Sequence, residues 1–412
     1  HAFSQRQNCV IVATSSLELG LDVGDLDRVI QIDAPGTVSS FLQRMGRTGR
    51  RQGAKANCLF LTTGDEGFLR AAALLDLWKT GYIEPVKAPV KPYHILAQQL
   101  MALVLQERGI GRHSWLEWVS DVPAFAAMSP ERIEAIVTHL LDTGILWSDD
   151  GILSFAKGGE EEYGRKHFME LLSVFTSPPL FRIVCGQKEL GSVHESTFYK
   201  RQEGPTILVL AGQSWKTNHL DWTRRIAHVE PTDERGQSRW LGEGQFLSFD
   251  VCQSIRHVLA GEFIEEFWSK RAKEKAQELR HEHPWVYADS TTLLQTPSGE
   301  VQWWTFAGGV ANAVLSEQLV PGHQRRTDNL CIRFPSTVTL ADAELLLKKR
   351  LGTDFISTPD EDAVASLKFA ECLPSEVAAD VFSARFAALQ SLWAVRDQHR
   401  RVLVSCSSSE RV

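Results

Sequence analysis

The feature that most constrains this chain is the stretch Val12–Arg51, in which apolar runs lead into arginines spaced by small residues. Cys9–Val12 and Arg28–Ile32 are short apolar runs of the kind that parallel sheets bury. Hydroxyl-bearing residues follow the first run, and the glycine-broken arginine row closes the stretch. Backbone N–H groups in such turns bind oxyanions, as does the forked guanidinium group. The stretch therefore predicts a phosphate-handling site.

Predicted strands and helices alternate through residues 1–84. After the two apolar runs, the sequence predicts a helix over Thr37–Met45 with Thr37 or Ser39 as its cap, a strand over Ala56–Leu61, and a helix over Glu66–Trp78 that ends near Gly81. This alternation is typical of a doubly wound α/β domain. Because such a sheet needs further parallel strands before Cys9, we expect the sequence to be an N-terminally truncated fragment.

Two segments here resemble motifs of superfamily 2 helicases. Ala13–Asp22 (ATSSLELGLD) resembles motif V and Gln43–Arg50 (QRMGRTGR) resembles motif VI, both from the second RecA-like domain. Within this superfamily, the sequence ATSSLELG followed by DVGDLD most closely resembles the large helicase-related (Lhr) family. The resemblance implies that residues 1–84 are part of a second RecA-like domain of an ATP-dependent helicase.

The resemblance also implies roles for individual residues. Arg47 and Arg50 match the arginine fingers that contact the γ-phosphate of ATP and stabilise charge during phosphoryl transfer. Gln43 matches a residue that braces the ATPase interface. Asp22, with Gly20 beside it, matches an ATP-binding carboxylate that accepts from a ribose hydroxyl or couples to the arginines. The alternatives are a solvated basic loop for the arginines and an ordinary turn acid for Asp22.

Contacts to nucleic acid are implied in the same region. Thr14, Ser15 and Ser16 lie where the family contacts the backbone of the translocated strand with hydroxyl and N–H donors. Arg44 is a further candidate contact. The alternative for the three hydroxyl residues is ordinary helix capping.

The phosphate-binding half of an ATPase is missing from the sequence. No G-x-x-x-x-G-K-[ST] motif occurs, and the nearest string, Gly159–Lys166, places three glutamates where a phosphate needs bare N–H groups. Asp360–Ala363 imitates a DExx box but follows Ser-Thr-Pro rather than an apolar strand. We therefore expect the intact enzyme to use ATP and Mg²⁺, and this chain alone to bind neither and to lack ATPase activity.

Residues 85–92 are predicted as a proline-rich linker, and residues 93–167 as a winged-helix domain. The predicted elements are helices over His94–Glu107, His113–Val119 and, capped by Ser129, up to Thr143, and strands over Ile145–Trp147 and Ile152–Phe155 joined by a turn at Asp149–Gly151. The third helix offers Arg132, Thr138 and His139 to DNA, but it also carries Glu131, Glu134 and Asp142. In the resembled helicases this domain packs on the motor and lines the strand path, so we expect packing rather than reading of a major groove.

The remaining chain predicts a small β domain and an α+β region. Alternating stretches in residues 168–261 predict an antiparallel barrel or sandwich, and the phrases LAGQSW and RWLGEGQFLS there resemble the Lhr family. Trp215 and Trp240 lie in these two segments, and we expect their rings to stack on unpaired bases. Most of the twelve tryptophans are expected in hydrophobic cores. Residues 262–412 are predicted as helices over Glu262–Leu279, Ala307–Leu319, Leu340–Leu351 and Pro374–Arg396 and strands over Val301–Phe306 and Asn329–Phe334.

Composition excludes several classes of protein. No apolar run reaches membrane-spanning length, and no signal peptide is present, so the expected location is the cytoplasm. Seven scattered cysteines without a CxxC pair indicate reduced thiols and no metal site. A net charge of −7 argues against binding nucleic acid by bulk electrostatics, so contacts must be local. Phe41–Lys55, with five basic and no acidic residues, provides such a focus.

Three functions remain open. The favoured one is the C-terminal portion of an Lhr-like helicase that acts on single-stranded DNA or RNA and on DNA/RNA duplexes, with the first RecA-like domain supplied in cis or in trans. The second is a non-catalytic nucleic-acid-binding module or split subunit that docks on a separate ATPase polypeptide. The third is a glycosylase-like action on bases, for which the sequence offers no acid/base pair.

Overall fold

The computed structural model describes residues 10–13, 26–50, 53–173, 180–186, 188–194, 206–210, 213–222, 224–232, 246–261, 268–320, 327–350, 367–387 and 390–404. Several predicted features lie outside these ranges, namely Thr14, Ser15, Ser16, Gly20, Asp22, Trp240 and the string Asp360–Ala363.

A parallel strand pair forms the N-terminal region. Its elements are β1 (Val29–Ile32), α1 (Val38–Met45), β2 (Cys58–Leu61) and α2 (Asp65–Lys79). β1 pairs with β2 in parallel, as the α/β prediction requires. The Thr37 side chain caps α1 by accepting from the Ser40 N–H. The predicted first strand is wrong over residues 10–13, which are not in a strand. Val10 and Val12 are 88% and 94% exposed rather than buried in a sheet.

The winged helix has the predicted order of elements. They are α3 (Tyr93–Glu107), β3 (Ile110–Gly111), a 3-10 helix (Ser114–Trp118), α4 (Pro130–Asp142), β4 (Leu146–Asp149) and β5 (Ile152–Phe155), followed by α5 (Lys157–Tyr163) and a second 3-10 helix (Phe168–Leu172). Ser129 caps α4, and Asp150 and Gly151 have φ of 47° and 77°, as a two-residue hairpin turn requires. The segment predicted as a linker contains no helix or strand.

The next region is a single open sheet with one parallel pair rather than the predicted antiparallel barrel or sandwich. Its strands are β6 (Leu180–Cys185), β7 (Lys188–His194), β8 (Ile207–Leu210), β9 (Gln213–Asp221) and β10 (Ile226–Pro231), in the order β7-β6-β10-β9-β8. The central pair, β6 and β10, is parallel. Among the described strands β7 and β8 are edges, so the sheet is not closed. The alternating sequence pattern does not record this pairing because three strands separate β6 from β10 along the chain.

Helices and a second sheet make up the remainder. The elements are α6 (Phe249–Ala260), α7 (Lys270–Glu282), β11 (Ser290–Gln295), β12 (Val301–Trp304), α8 (Gly309–Leu319), β13 (Cys331–Arg333), α9 (Leu340–Arg350), a 3-10 helix (Ala370–Cys372), α10 (Ser375–Ala387), α11 (Gln390–Asp397) and β14 (His399–Val404). The sheet order is β13-β12-β11-β14. Two details of the prediction are wrong. β11 and β14 were not expected as strands, and α6 lies where β structure was predicted. The described parts of the helix predicted over Pro374–Arg396 are α10 and α11.

The hydrophobic cores join segments that are distant in sequence. α6 and α7 share a core with α1 and α2, so this part of the C-terminal region packs on the N-terminal region. Residues 367–381 share a core with α3 and α4 of the winged helix. No helix among the described residues is long and apolar enough to cross a membrane.

Candidate functional site

The arginines of the predicted motif VI lie in the loop that follows α1. Gly46 ends the helix, and its N–H donates to the Leu42 carbonyl at 2.7 Å. Arg47 is buried, with 9% of its surface exposed. Arg50 is exposed, and its Nε donates to the Gly46 carbonyl at 2.9 Å. The two arginines therefore share a loop but have different environments.

Thr48 and Gly49 fix the shape of this loop. Thr48 is buried, and its hydroxyl donates to the Met45 carbonyl at 2.8 Å and accepts from the Asn57 N–H at 2.9 Å. Gly49 has a φ of +72°, and a Cβ there would lie 2.6 Å from the Ala56 nitrogen. Both the backbone conformation and the close approach therefore require glycine. Gly49 therefore sets the geometry of the loop.

Arg44 and Gln43 differ in their surroundings. Gln43 is exposed on α1. Arg44 is half-buried, and its Nη1 donates to the Gln31 side-chain oxygen at 3.2 Å. The Gln31 amide in turn donates to the Cys58 sulfur at 3.3 Å. Burial raises the pKa of the Cys58 thiol, with Gln31 and Arg44 acting in the opposite direction. Arg44 thus ties α1 to β1 and β2, and its predicted contact with nucleic acid stays a prediction.

A carboxylate outside the predicted site binds the N-terminus of α1. Glu84 accepts from the Val38 N–H at 2.6 Å, the Ser39 N–H at 2.8 Å and the Ser39 hydroxyl at 2.6 Å. Burial alone would raise the pKa of Glu84, but the hydrogen bonds from Ser39 and Val38 outweigh it and lower the pKa below its ordinary value. No local sequence signal predicts this contact, since Glu84 lies 46 residues from Val38 and next to the proline-rich segment.

Comparison with known proteins identifies the region that carries this site. Residues 1–52 match the helicase conserved C-terminal domain, and residues 77–238 match the winged-helix domain of large helicase-related protein. The chain therefore contains a helicase C-terminal domain match and an Lhr-type winged-helix match. The first match includes the loop with Arg47 and Arg50, and the second covers the winged helix and all five strands of the open sheet.

Two curated relatives show the extent of the Lhr resemblance. The Lhr helicase/probable uracil glycosylase of Mycolicibacterium smegmatis is 27% identical over 254 residues, which are 57% of this chain and 16% of that protein. The ATP-dependent helicase Lhr-Core of Methanocaldococcus jannaschii is 33% identical over 275 residues, which are 63% of this chain and 32% of that protein. The chain therefore aligns with less than a third of the length of these relatives.

The architecture is similar to that of a solved Lhr structure. The Mycobacterium smegmatis helicase Lhr, bound to single-stranded DNA and AMP-PNP, matches with a TM-score of 0.58 and 16% identity. The match covers 95% of this chain and 56% of that chain. At this identity the likeness supports the fold alone.

The third helix of the Lhr winged helix is covered by the C-terminal segment. Arg132 lies 2.9 Å from a carboxylate oxygen of Glu376 and 3.0 Å from one of Asp380. His139 Nε2 lies 2.9 Å from the Glu371 carbonyl oxygen. Two of the three side chains predicted to face DNA therefore contact protein. The helix therefore packs on protein as expected, but its partner is the segment that contains α10 rather than the helicase-like part.

Trp215 does not have the environment that base stacking requires. It lies on β9 with 8% of its surface exposed, in a core that includes Phe181, Ile183 and Leu208. A stacking platform must present a ring face to a base. The burial of Trp215 contradicts its predicted role, and alternation along β9 explains why the side chain points inward.

The described residues contain no cluster of side chains that could by itself hold a metal ion. No group of three or more histidine, cysteine, aspartate or glutamate side chains is arranged there to hold a metal ion.

Proposed function

We propose that this chain supplies one half of the ATPase site of an Lhr-type helicase, with Arg47 and Arg50 contacting the γ-phosphate. The proposal rests on the placement of both arginines in a loop that Thr48 and Gly49 fix, inside the region that matches the helicase C-terminal domain. Preorganised positive groups stabilise the charge that develops in phosphoryl transfer.

The two arginines suit different parts of this task. Arg47 is buried, so its guanidinium group would act in a region of low dielectric, where charge interactions are stronger than in water. Arg50 is exposed, so a nucleotide held on another domain can reach it. In this proposal Gln43 braces the interface, while Gly20 and Asp22 bind ATP as the motif V resemblance implies.

The other half of the site would come from a first RecA-like domain, in cis or in trans. That domain would bind the phosphates of ATP, for which this sequence has no glycine-rich loop. The chain alone should therefore show no ATPase activity. ATP turnover by the purified chain, with a specific activity that does not fall on further purification, would contradict this part of the proposal.

The nucleic-acid partner would be a single strand of DNA or RNA, contacted by Thr14, Ser15, Ser16 and the basic Phe41–Lys55 segment. The predicted winged-helix domain, residues 93–167, has eleven acidic and six basic side chains and a net charge of −5. Phosphate contacts there are therefore disfavoured. The proposal predicts weak binding whose affinity falls with salt, with a slope no steeper than about −2, because the three basic residues of the segment not assigned to ATP, Arg44, Arg51 and Lys55, each contribute about −0.7 on a single strand.

Substitution of the arginines tests the proposal in a helicase polypeptide that contains this chain. Arg47→Ala or Arg50→Ala should lower ATP hydrolysis by about 100-fold or more and leave strand binding within about twofold, because arginine fingers act on the transition state. Arg28→Ala is the matched control, since Arg28 is an exposed arginine that contacts Asn57 at 3.2 Å. Equal loss of ATPase and strand binding would indicate that these arginines are structural.

The alternative is a non-catalytic or split subunit that docks on a separate ATPase polypeptide. The absence of a phosphate-binding loop from this sequence is explained as well by a split subunit as by a single helicase polypeptide. The coding sequence upstream of His1 distinguishes the two. An uninterrupted frame that encodes a phosphate-binding loop supports a single helicase polypeptide, whereas a stop codon followed by a start codon supports a split subunit.

A further inference from the structure

We propose that Glu84 is a positioning residue for the arginine loop, acting through α1. This inference rests on the proposed function, since it concerns how Arg47 and Arg50 are held for ATP hydrolysis. Glu84 contacts one end of α1, and the arginine loop follows the other end. Eight residues at about 1.5 Å each make α1 about 12 Å long, so the helix is a short rigid connection between them.

Glu84 completes the hydrogen bonding of the first turn of α1. The first four N–H groups of a helix have no partner within the helix. The Thr37 hydroxyl accepts one of them, the Ser40 N–H at 3.1 Å, and the Phe41 N–H makes the first ordinary helix bond to the Thr37 carbonyl at 3.2 Å. Glu84 accepts from two more, those of Val38 and Ser39. All three N–H groups from Val38 to Ser40 are therefore satisfied, two of them by a residue outside the helix.

Glu84 also supplies charge that α1 lacks. The first turn of α1 contains no acidic residue, although an acid at that position stabilises the positive end of the helix dipole. Glu84, which lies 46 residues after Val38 in the sequence, provides this negative charge. The hydrogen bonds hold its carboxylate in the charged form, because they lower its pKa in spite of burial.

The position of Glu84 connects α1 to the rest of the molecule. Two residues earlier, the Tyr82 hydroxyl donates to an Asp250 carboxylate oxygen at 2.8 Å, which anchors the same segment to α6. Residues 85–92 follow, with prolines at 85, 89 and 92, and lead directly into α3 of the winged helix. Proline-rich segments are stiff, so a displacement of the winged helix would act on this junction. Through Glu84 it would act on α1 and the arginines.

Hydrogen exchange in this chain tests the contact itself. Glu84→Ala should raise amide exchange in the peptide that covers residues 37–45 by about fivefold, because two first-turn N–H groups lose their acceptor. Glu84→Gln should give a smaller increase, because its one side-chain oxygen still accepts. Glu66→Ala is the control, since Glu66 is an exposed acid that pairs with Arg70 on α2. Unchanged exchange in Glu84→Ala would overturn the proposal.

Kinetics in a helicase polypeptide that contains this chain tests the positioning role. Glu84→Ala should lower kcat for ATP hydrolysis about fivefold and leave KM for ATP and strand affinity within about twofold. Glu84→Gln should retain part of the kcat that Glu84→Ala loses. The melting temperature of each variant shows whether it is folded. If Arg47→Ala abolishes ATPase but Glu84→Ala leaves kcat unchanged, the positioning role is wrong and the proposed function stands. If Arg47→Ala retains ATPase, the proposed function fails, and Glu84 only caps a helix.

Discussion

Gly49 and Gly53 both have positive φ in the segment that follows α1, but only Gly49 is closely packed. A Cβ at Gly49 would lie 2.6 Å from the Ala56 nitrogen, whereas nothing lies within 4 Å of one at Gly53. Gly49→Ala should therefore lower the free energy of unfolding by about 3 kcal/mol, and Gly53→Ala by only about 1 kcal/mol. Urea denaturation of the two variants measures the difference, and equal losses would mean that the close approach is relieved at little cost.

At the residue scale, the sequence predicted which residues share a loop but not their surroundings. The spacing of Arg47 and Arg50 indicated a common site, and the structure places both in one loop. The burial of Arg47 and exposure of Arg50 depend on residues beyond the motif, such as Leu26, whose N–H donates to the Arg47 carbonyl at 3.0 Å. Glu84 was missed for the same reason, because its partners lie 46 residues away.

Among the elements, α1 should show a stability that depends on pH through Glu84. The pKa of Glu84 is lowered from 4.5 in the folded protein. A carboxyl with a lowered pKa stabilises the fold fully above its unfolded pKa and loses that contribution as pH falls through the folded value. The wild-type chain should therefore lose more stability between about pH 6 and about pH 3 than Glu84→Gln. Denaturation at several pH values measures this, and parallel curves would contradict it.

α10 should stabilise the winged helix although the two are far apart in sequence. Leu373, just before α10, is 3% exposed in the core that contains α3 and α4, so Leu373→Ala should cost about 2–5 kcal/mol. Leu345→Ala on α9 is the control, because Leu345 is 49% exposed and should cost under about 1 kcal/mol. Amide exchange in α4 reports the effect. Unchanged exchange in the Leu373 variant would mean that the segment does not support the winged helix.

Elements defined by local chemistry were predicted well. Thr37 and Ser129 cap the helices that follow them, and Asp150–Gly151 forms the hairpin turn, because each signal acts within a few residues. The parallel pairing of β6 with β10 was missed because the contact is made across intervening strands. β11 was missed because its buried residues include three hydroxyl side chains, Ser290, Thr291 and Thr292, rather than an alternating apolar pattern.

Across the whole molecule, the C-terminal region joins the helicase-like part to the winged helix. The Ser254 hydroxyl on α6 lies 2.6 Å from Asp76 on α2, and Lys275 on α7 lies 2.8 Å from Asp65. At the other end, Arg132 on α4 pairs with Glu376 and Asp380 on α10. The two parts are therefore connected twice, by the proline-rich segment and by this region. The connection through the C-terminal region could not be predicted from sequence, because an apolar helix face does not specify which element it packs against.

Cleavage of the proline-rich segment tests this second connection. Val86 is fully exposed, so a protease site placed there should be cut in the folded protein. After cleavage the two pieces should still elute together in gel filtration, because α6 and α7 share a core with α1 and α2. Val258→Asp, at a position on α6 that is 1% exposed, should release the N-terminal piece after cleavage, whereas Leu345→Asp should not. Separation of the pieces in the unsubstituted protein would mean that the segment alone holds the helicase-like part in place.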